Sequence, residues 1–256
     1  MIFLYFPFIY TFHTRLLSLS SKIAWFATYL IPVLITCWYF KFDFFFSFFL
    51  ISIIYTAYEL GYIFNDCELV KKENNPTLRL NKTEIAHYEK HKMFIFFIRL
   101  SFLVVLLSVV YFYYNGYFFY LTITVLLILS TYTVYNNMRN NFNLPLYSFL
   151  VFCRYFIFFV IFVKSFTLAI SLYLVYPLCV TLEFSTKKRF ITSHFMKFKN
   201  FDKFRLFYYF ILLVIVMFLY FSSTLFYIDL FLYLTFYFFV YRLLSYLFLS
   251  KLVRSE

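Results

Sequence analysis

Between Tyr58 and Leu80 the chain reads YELGYIFNDCELVKKENNPTLRL, and a greasy run gives way to acids, amides and bases within a few residues. Asn65, Asp66 and Glu73 are hard oxygen donors. The two carboxylates stand seven residues apart, so on a helix they project from one face about two turns apart. Carboxylates with an amide beside them suit Mg²⁺, which takes a few such ligands and completes its shell with water and substrate phosphate. Lys71, Lys72 and Arg79 would hold phosphate oxygens directly through charge-assisted hydrogen bonds. The plainer alternative is a set of solvated loop charges just past a membrane span.

Glu59 precedes Asp66 by seven residues and shares its helical face, deeper in the apolar run. A charge inside a span costs a few kcal/mol unless it is paired or faces a cavity. Glu59 is therefore expected either to bridge to a buried arginine or to floor a polar cavity that orients an acceptor. Arg99 falls within two turns of the start of its span and is expected to snorkel outward, away from the site. His87 and His91, at i and i+4, could chelate a metal, but no acid has HExxH spacing; they read as a solvated helix face.

The elements that must position these groups follow from composition. Of 256 residues, 64% are hydrophobic, 29% aromatic and only 13% charged, which excludes a soluble domain. Apolar runs of roughly 18 to 22 residues predict eight spanning helices, near 23–40, 44–64, 93–114, 117–135, 147–163, 166–184, 207–224 and 230–249. The opening MIFLYFPFIYTF lacks a basic start and a cleavage site and is too short to span. It is expected to form an interfacial or re-entrant helix, giving a ninth, half-buried segment. Only Gly61 and Gly116 are glycines, so close small-residue packing cannot dominate the bundle. Cys37, Cys67, Cys153 and Cys179 are scattered and indicate neither a zinc site nor a disulfide framework.

A formal charge of +12 could suggest a nucleic-acid partner, but the bases fall in short loops between apolar runs, where they set topology. With the N-terminus placed in the cytoplasm, eighteen of the 23 Lys and Arg lie inside and two, Lys41 and Lys164, outside. The remaining Arg99, Arg154 and Arg242 lie within spans. Both termini, and both long polar loops, 65–92 and 185–205, are thus expected on the cytoplasmic face of an integral membrane protein, a bacterial inner-membrane one.

The stretch NDCELVKKENNPTLR resembles the first aspartate-rich motif of the UbiA superfamily of intramembrane prenyltransferases, N-D-x-x-D-x-x-x-D with a basic, proline-containing stretch after it. Asn65, Asp66 and Glu73 fall on the asparagine, the first acid and the last acid; Leu69 stands at the middle one, with Glu68 beside it. VYNNMRNNFNLPLYSF is similar to the superfamily's Tyr-x-x-x-Lys/Arg segment, through Tyr135 and Arg139. Where prenyltransferases carry a second aspartate-rich motif, LEFSTKKRF has Glu183 followed by Lys187, Lys188 and Arg189. That basic ending is closer to the branch that moves phosphoribose onto polyprenyl phosphate.

The resemblance implies an all-α polytopic bundle of eight or nine transmembrane helices around a central cavity, one domain over residues 1–256. It implies Mg²⁺ on Asn65, Asp66 and Glu73, gripping the diphosphate of a polyprenyl lipid. Asp66, Glu73, Arg139 and Lys188 would be catalytic, the bases neutralising the leaving diphosphate. Glu59, Asn65, Lys72, Arg79, Tyr135, Lys187 and Arg189 would bind substrate. The competing readings are phosphoribosyl transfer to polyprenyl phosphate, and a non-catalytic relative or small transporter that holds an anionic lipid headgroup.

Overall fold

Runs this apolar have no water to satisfy their backbones once in hydrocarbon, so each must bond internally as helix. The computed structural model describes residues 1–72, 77–138, 140–187, 190–195, 197–198, 200–222 and 226–249, and among them there is no strand. Six helices are long and apolar enough to cross a membrane: Leu19–Tyr39, Phe44–Leu69, Lys82–Tyr113, Asn115–Asn137, Phe201–Ser222 and Ile228–Phe248. Two bent pairs, Asn143–Tyr155 with Ile157–Val163 and Phe166–Val175 with Pro177–Ser185, raise the number to eight if each pair is one span. The chain is an integral membrane protein. Among the described residues the predicted segments are helical, but two of them break, by 71° and 50°. The second break has a simple cause: Pro177 brings no N–H and cannot continue the preceding turn. Beside the break, the Leu174 carbonyl accepts from the Tyr208 hydroxyl. No proline stands at the first break, around Phe156.

The chain divides into two compact units, Met1–Phe26 with Lys41–Met138, and Ala27–Phe40 with Arg139–Glu256. In the first unit, α1 (Ile9–Thr14) and the start of α2 (Leu19–Trp25) precede α4 (Phe44–Phe64), α5 (Lys82–Tyr113) and α6 (Asn115–Asn137). Helix α4 is the centre of this unit: 78% of its apolar window is buried, against 22% for that of α5. Asp43 caps its start by accepting from the Phe46 N–H at 2.8 Å. Asn81 and Glu84 form a capping box that starts α5 well before the predicted span, and a kink at His91 marks where the polar extension meets the apolar run.

The first residues pack partly inward, with Ile2, Phe6 and Ile9 left exposed. A short turn at Ile2–Leu4 and α1 fold inward, burying Phe3, Leu4 and Tyr10 against Ile63, Tyr88 and Ile95. Helices α4 and α6 meet at Gly61, where an added Cβ would lie 2.5 and 2.6 Å from Cδ1 and Cδ2 of Tyr132. Gly61→Ala should therefore lower stability by about 1–3 kcal/mol through overpacking. A thermal unfolding scan in detergent checks this, and Gly61→Ala/Tyr132→Leu should recover most of the loss.

The second unit comprises α3 (Ile31–Tyr39), α7 (Asn143–Tyr155), α8 (Ile157–Val163), α9 (Phe166–Val175), α10 (Pro177–Ser185), α11 (Phe201–Ser222) and α12 (Ile228–Leu244). Its best-packed pair is the α11–α12 hairpin. The Tyr209 and Phe238 rings stack across it at 5.1 Å.

Candidate functional site

Helix α4 carries its polar residues to one end of the first unit, where they sort into three charged clusters. The deepest is Glu59 with Arg99, both side chains fully buried and 2.5 Å apart. Glu59 also accepts from the Phe8 and Thr11 N–H groups, each at 2.9 Å, and from the Thr11 hydroxyl at 2.7 Å. Arg99 donates in addition to the carbonyls of Phe3 and Leu4, both at 2.9 Å. The pair thus satisfies the backbone of a segment too short to satisfy itself. Of the two readings of Glu59, the buried bridge is the one formed. Arg99 does not snorkel, because every one of its partners lies inside.

The second cluster centres on Asp66. The α-helix ends at Phe64, and Asn65–Leu69 winds as a wider π turn, followed by a 3-10 turn at Val70–Lys72. The straight two-turn geometry that would align Asp66 with Glu73 stops there, and Glu73 lies outside the described residues. The buried Asp66 carboxylate accepts at Oδ2 from the Tyr10 hydroxyl and Arg15 Nη1, both at 2.8 Å. At Oδ1 it accepts from Arg15 Nη2 at 3.1 Å and from the Asn65 amide at 3.2 Å. The Arg15 guanidinium carbon lies over the Tyr62 ring, 3.6 Å from its centre. Burial pushes the Tyr10 phenol well above its usual range, and the Asp66 carboxylate pushes it further, so Tyr10 stays a neutral donor. Burial works against the charge of Arg15, yet Tyr62 and Asp66 outweigh it and raise its pKa.

A second guanidinium approaches the same carboxylate. Arg79 Nη1 is 3.8 Å from Asp66 Oδ1, beyond hydrogen-bond length, with its side chain 37% exposed. Two arginines on one carboxylate leave the cluster net positive, with the excess charge on the exposed side.

The third cluster gathers on Glu68, which bonds Lys92 at 2.7 Å and the Tyr88 hydroxyl at 3.0 Å, with Lys71 at 3.9 Å. Lys71 turns mainly to Glu89, at 2.9 Å, which raises its pKa. Glu68 is thus a partner of lysines and does not stand in for the acid missing at Leu69.

Of the other residues read from the sequence, Tyr135 is half-buried on α6, its ring edge-on to Tyr132. Lys72 ends the 3-10 turn. Lys187 is exposed, its ammonium 4.4 Å from the centre of the Phe184 ring. Arg139, Lys188 and Arg189 lie outside the described residues. In the second unit Arg205 clamps Glu183 with two bonds of 2.6 Å, beside a cleft of about 330 Å³ that Tyr147, Glu183, Lys187 and Arg205 help to line.

Among the described residues the donors do not fit a magnesium ion. Mg²⁺ asks for near-octahedral oxygen with open lone pairs. Those of Asp66 are taken by Tyr10, Arg15 and Asn65, the Asn65 amide presents its nitrogen, and Glu59 is filled by Arg99 and the N-terminal segment. No group of three or more His, Cys, Asp or Glu there could hold a metal. Tyr10 and Arg15, on which the site depends, escape sequence reasoning. Their only trace is the polar TFHTR that ends the apolar opening.

The spans define an integral membrane protein, and the clusters define a cationic end on its first unit. Set against protein-family models, curated proteins and solved structures, the chain matches none of them.

Proposed function

We propose that this protein is an intramembrane transferase of the UbiA type, acting on a polyprenyl (di)phosphate, and that arginine does the work of gripping the phosphate. One observation carries the reading: Arg79 stands half-exposed beside a carboxylate that Arg15 already neutralises. A guanidinium in that position offers a two-pronged set of donors to a phosphate group at the end of a span. Asp66 and Arg15 then act as the frame that holds Arg79 in place. The expected magnesium site at Asn65, Asp66 and Glu73 is replaced in this proposal by direct cationic contact. The eighteen-to-two distribution of Lys and Arg supports a cytoplasmic placement for this end and for both termini.

The bidentate Glu183–Arg205 pair favours the phosphoribosyl branch as a second reading, because the acid nearest the second motif is already neutralised. The test is a transfer assay with purified protein in lipid nanodiscs, offering radiolabelled prenyl diphosphates in one arm and phosphoribosyl pyrophosphate with polyprenyl phosphate in the other. One arm should yield product, and Arg79→Gln should lower kcat/KM about ten- to a hundredfold, the worth of a charge-assisted bond. Tight pyrophosphate binding with no product in either arm would leave a headgroup-binding protein and end the transferase reading.

A further inference from the structure

Arg242 lies in the last turn of α12, 92% buried by its 8% relative exposure. Its Nε has no hydrogen-bond partner, and among the described residues no carboxylate pairs with the side chain. The contrast with its neighbour is instructive. Tyr209 and Phe238 stack across the hairpin at 5.1 Å, so Arg242, one turn beyond Phe238, is level with Arg205, one turn before Tyr209. Arg205 has two acids, Glu183 on α10 and Asp202 at 3.0 Å on its own helix. Arg242 has none.

The acids nearest Arg242, Glu183 and Asp202, are both already bound by Arg205. The Arg242 guanidinium carbon is 5.0 Å from the centre of the Tyr241 ring, and its charge reaches the Cys179 thiol and the Tyr209 hydroxyl. That hydroxyl is itself fully buried, with the Cys179 thiol as its neighbour. A guanidinium cannot shed its proton to escape burial. Left uncompensated in a span, it costs several kcal/mol, which a ring face at 5.0 Å offsets only in part. A leucine there would remove the cost, so the charge implies a counter-charge, and no described residue provides one.

We propose that the second unit carries an anion site of its own, centred on Arg242 with the Tyr209 hydroxyl beside it, and that it takes a phosphate-class oxyanion. The guanidinium fork matches two oxygens of a tetrahedral phosphate, and the tyrosine adds a third donor. The same chemistry can come from a soluble phosphate or from the headgroup of a lipid. This site shares no residue with the Arg79 cluster, so neither depends on the other.

The experiment is a pyrophosphate titration of the full-length protein in neutral detergent with EDTA present, read as the number of sites per chain. Wild type should show two. Arg79→Gln should lose one and Arg242→Gln the other, each by about ten- to a hundredfold in affinity. The surviving site in each variant reports that the protein is still folded. Arg242→Gln binding as wild type does would overturn the proposal, whatever Arg79→Gln does. Should Arg242→Gln fail to insert, Arg242→Lys keeps the charge but drops the fork, and affinity equal to wild type would again overturn it. Repeating the titration in phosphatidylcholine vesicles with and without phosphatidylglycerol identifies the source. Competition from the anionic lipid assigns the site to a headgroup, and its absence assigns it to a soluble phosphate.

Discussion

Glu59→Gln should lose about 3–5 kcal/mol of stability, enough to remove most folded protein from a membrane preparation. The reason lies in which donors face which oxygen. One carboxylate oxygen takes the Thr11 N–H and hydroxyl, and a glutamine carbonyl can still serve there. The other takes Arg99 and the Phe8 N–H, and the glutamine would set an NH₂ against two donors. Arg99 would remain charged, buried and unpaired. Arg99→Met alone strands Glu59 and should cost a similar amount. Glu59→Gln/Arg99→Met removes both charges and should be far milder than the sum of the singles, the mark of a coupled pair. Thermal unfolding of all four proteins in one detergent gives the coupling directly. Additive effects would show that the bridge is incidental to the fold.

Asp66→Asn separates two uses of the same residue. Removing its charge leaves Arg15 buried over Tyr62 with only neutral partners, so stability should fall by about 3 kcal/mol. Yet Arg15 and Arg79 are then both without a counter-ion at one point. Pyrophosphate should bind at least as tightly as to wild type with EDTA present, and it should restore much of the lost melting temperature. A residue that held the ligand through magnesium would behave oppositely, its loss abolishing binding. Thermal scans with and without pyrophosphate, in EDTA and in MgCl₂, decide between them. Binding that disappears in Asp66→Asn and requires magnesium in wild type would return the site to the metal reading.

The positions of the long apolar helices were legible in the sequence because hydropathy alone sets them. The bends were not, since Pro177 announces one and nothing in the residues around Phe156 announces the other. The seven-residue spacing of Glu59 and Asp66 correctly implied a shared face, and both acids do meet the N-terminal segment, through Thr11 in one case and Tyr10 in the other. What meets that face was not legible. Arg15 and Arg99 lie 51 and 40 residues from the acids they bind, and a lone arginine in or near a span looks the same whether it pairs inward or snorkels. Nor does any local pattern in the opening residues show that the distant Glu59 and Arg99 satisfy their backbone.

The Glu59–Arg99 bridge also has a consequence for how the chain is made. Its two ends lie on successive spans, and the segment they jointly hold is synthesised before either. A carboxylate and a guanidinium entering the bilayer on separate occasions would each meet a penalty of about 2.5–3.5 kcal/mol; entering together as the α4–α5 hairpin, they neutralise one another on the way. Residues 1–15 are then secured only once that hairpin is seated, since the carbonyls of Phe3 and Leu4 have no donor before Arg99 arrives. The segment that precedes α4 in the chain is thus fixed in place only after α4 and α5.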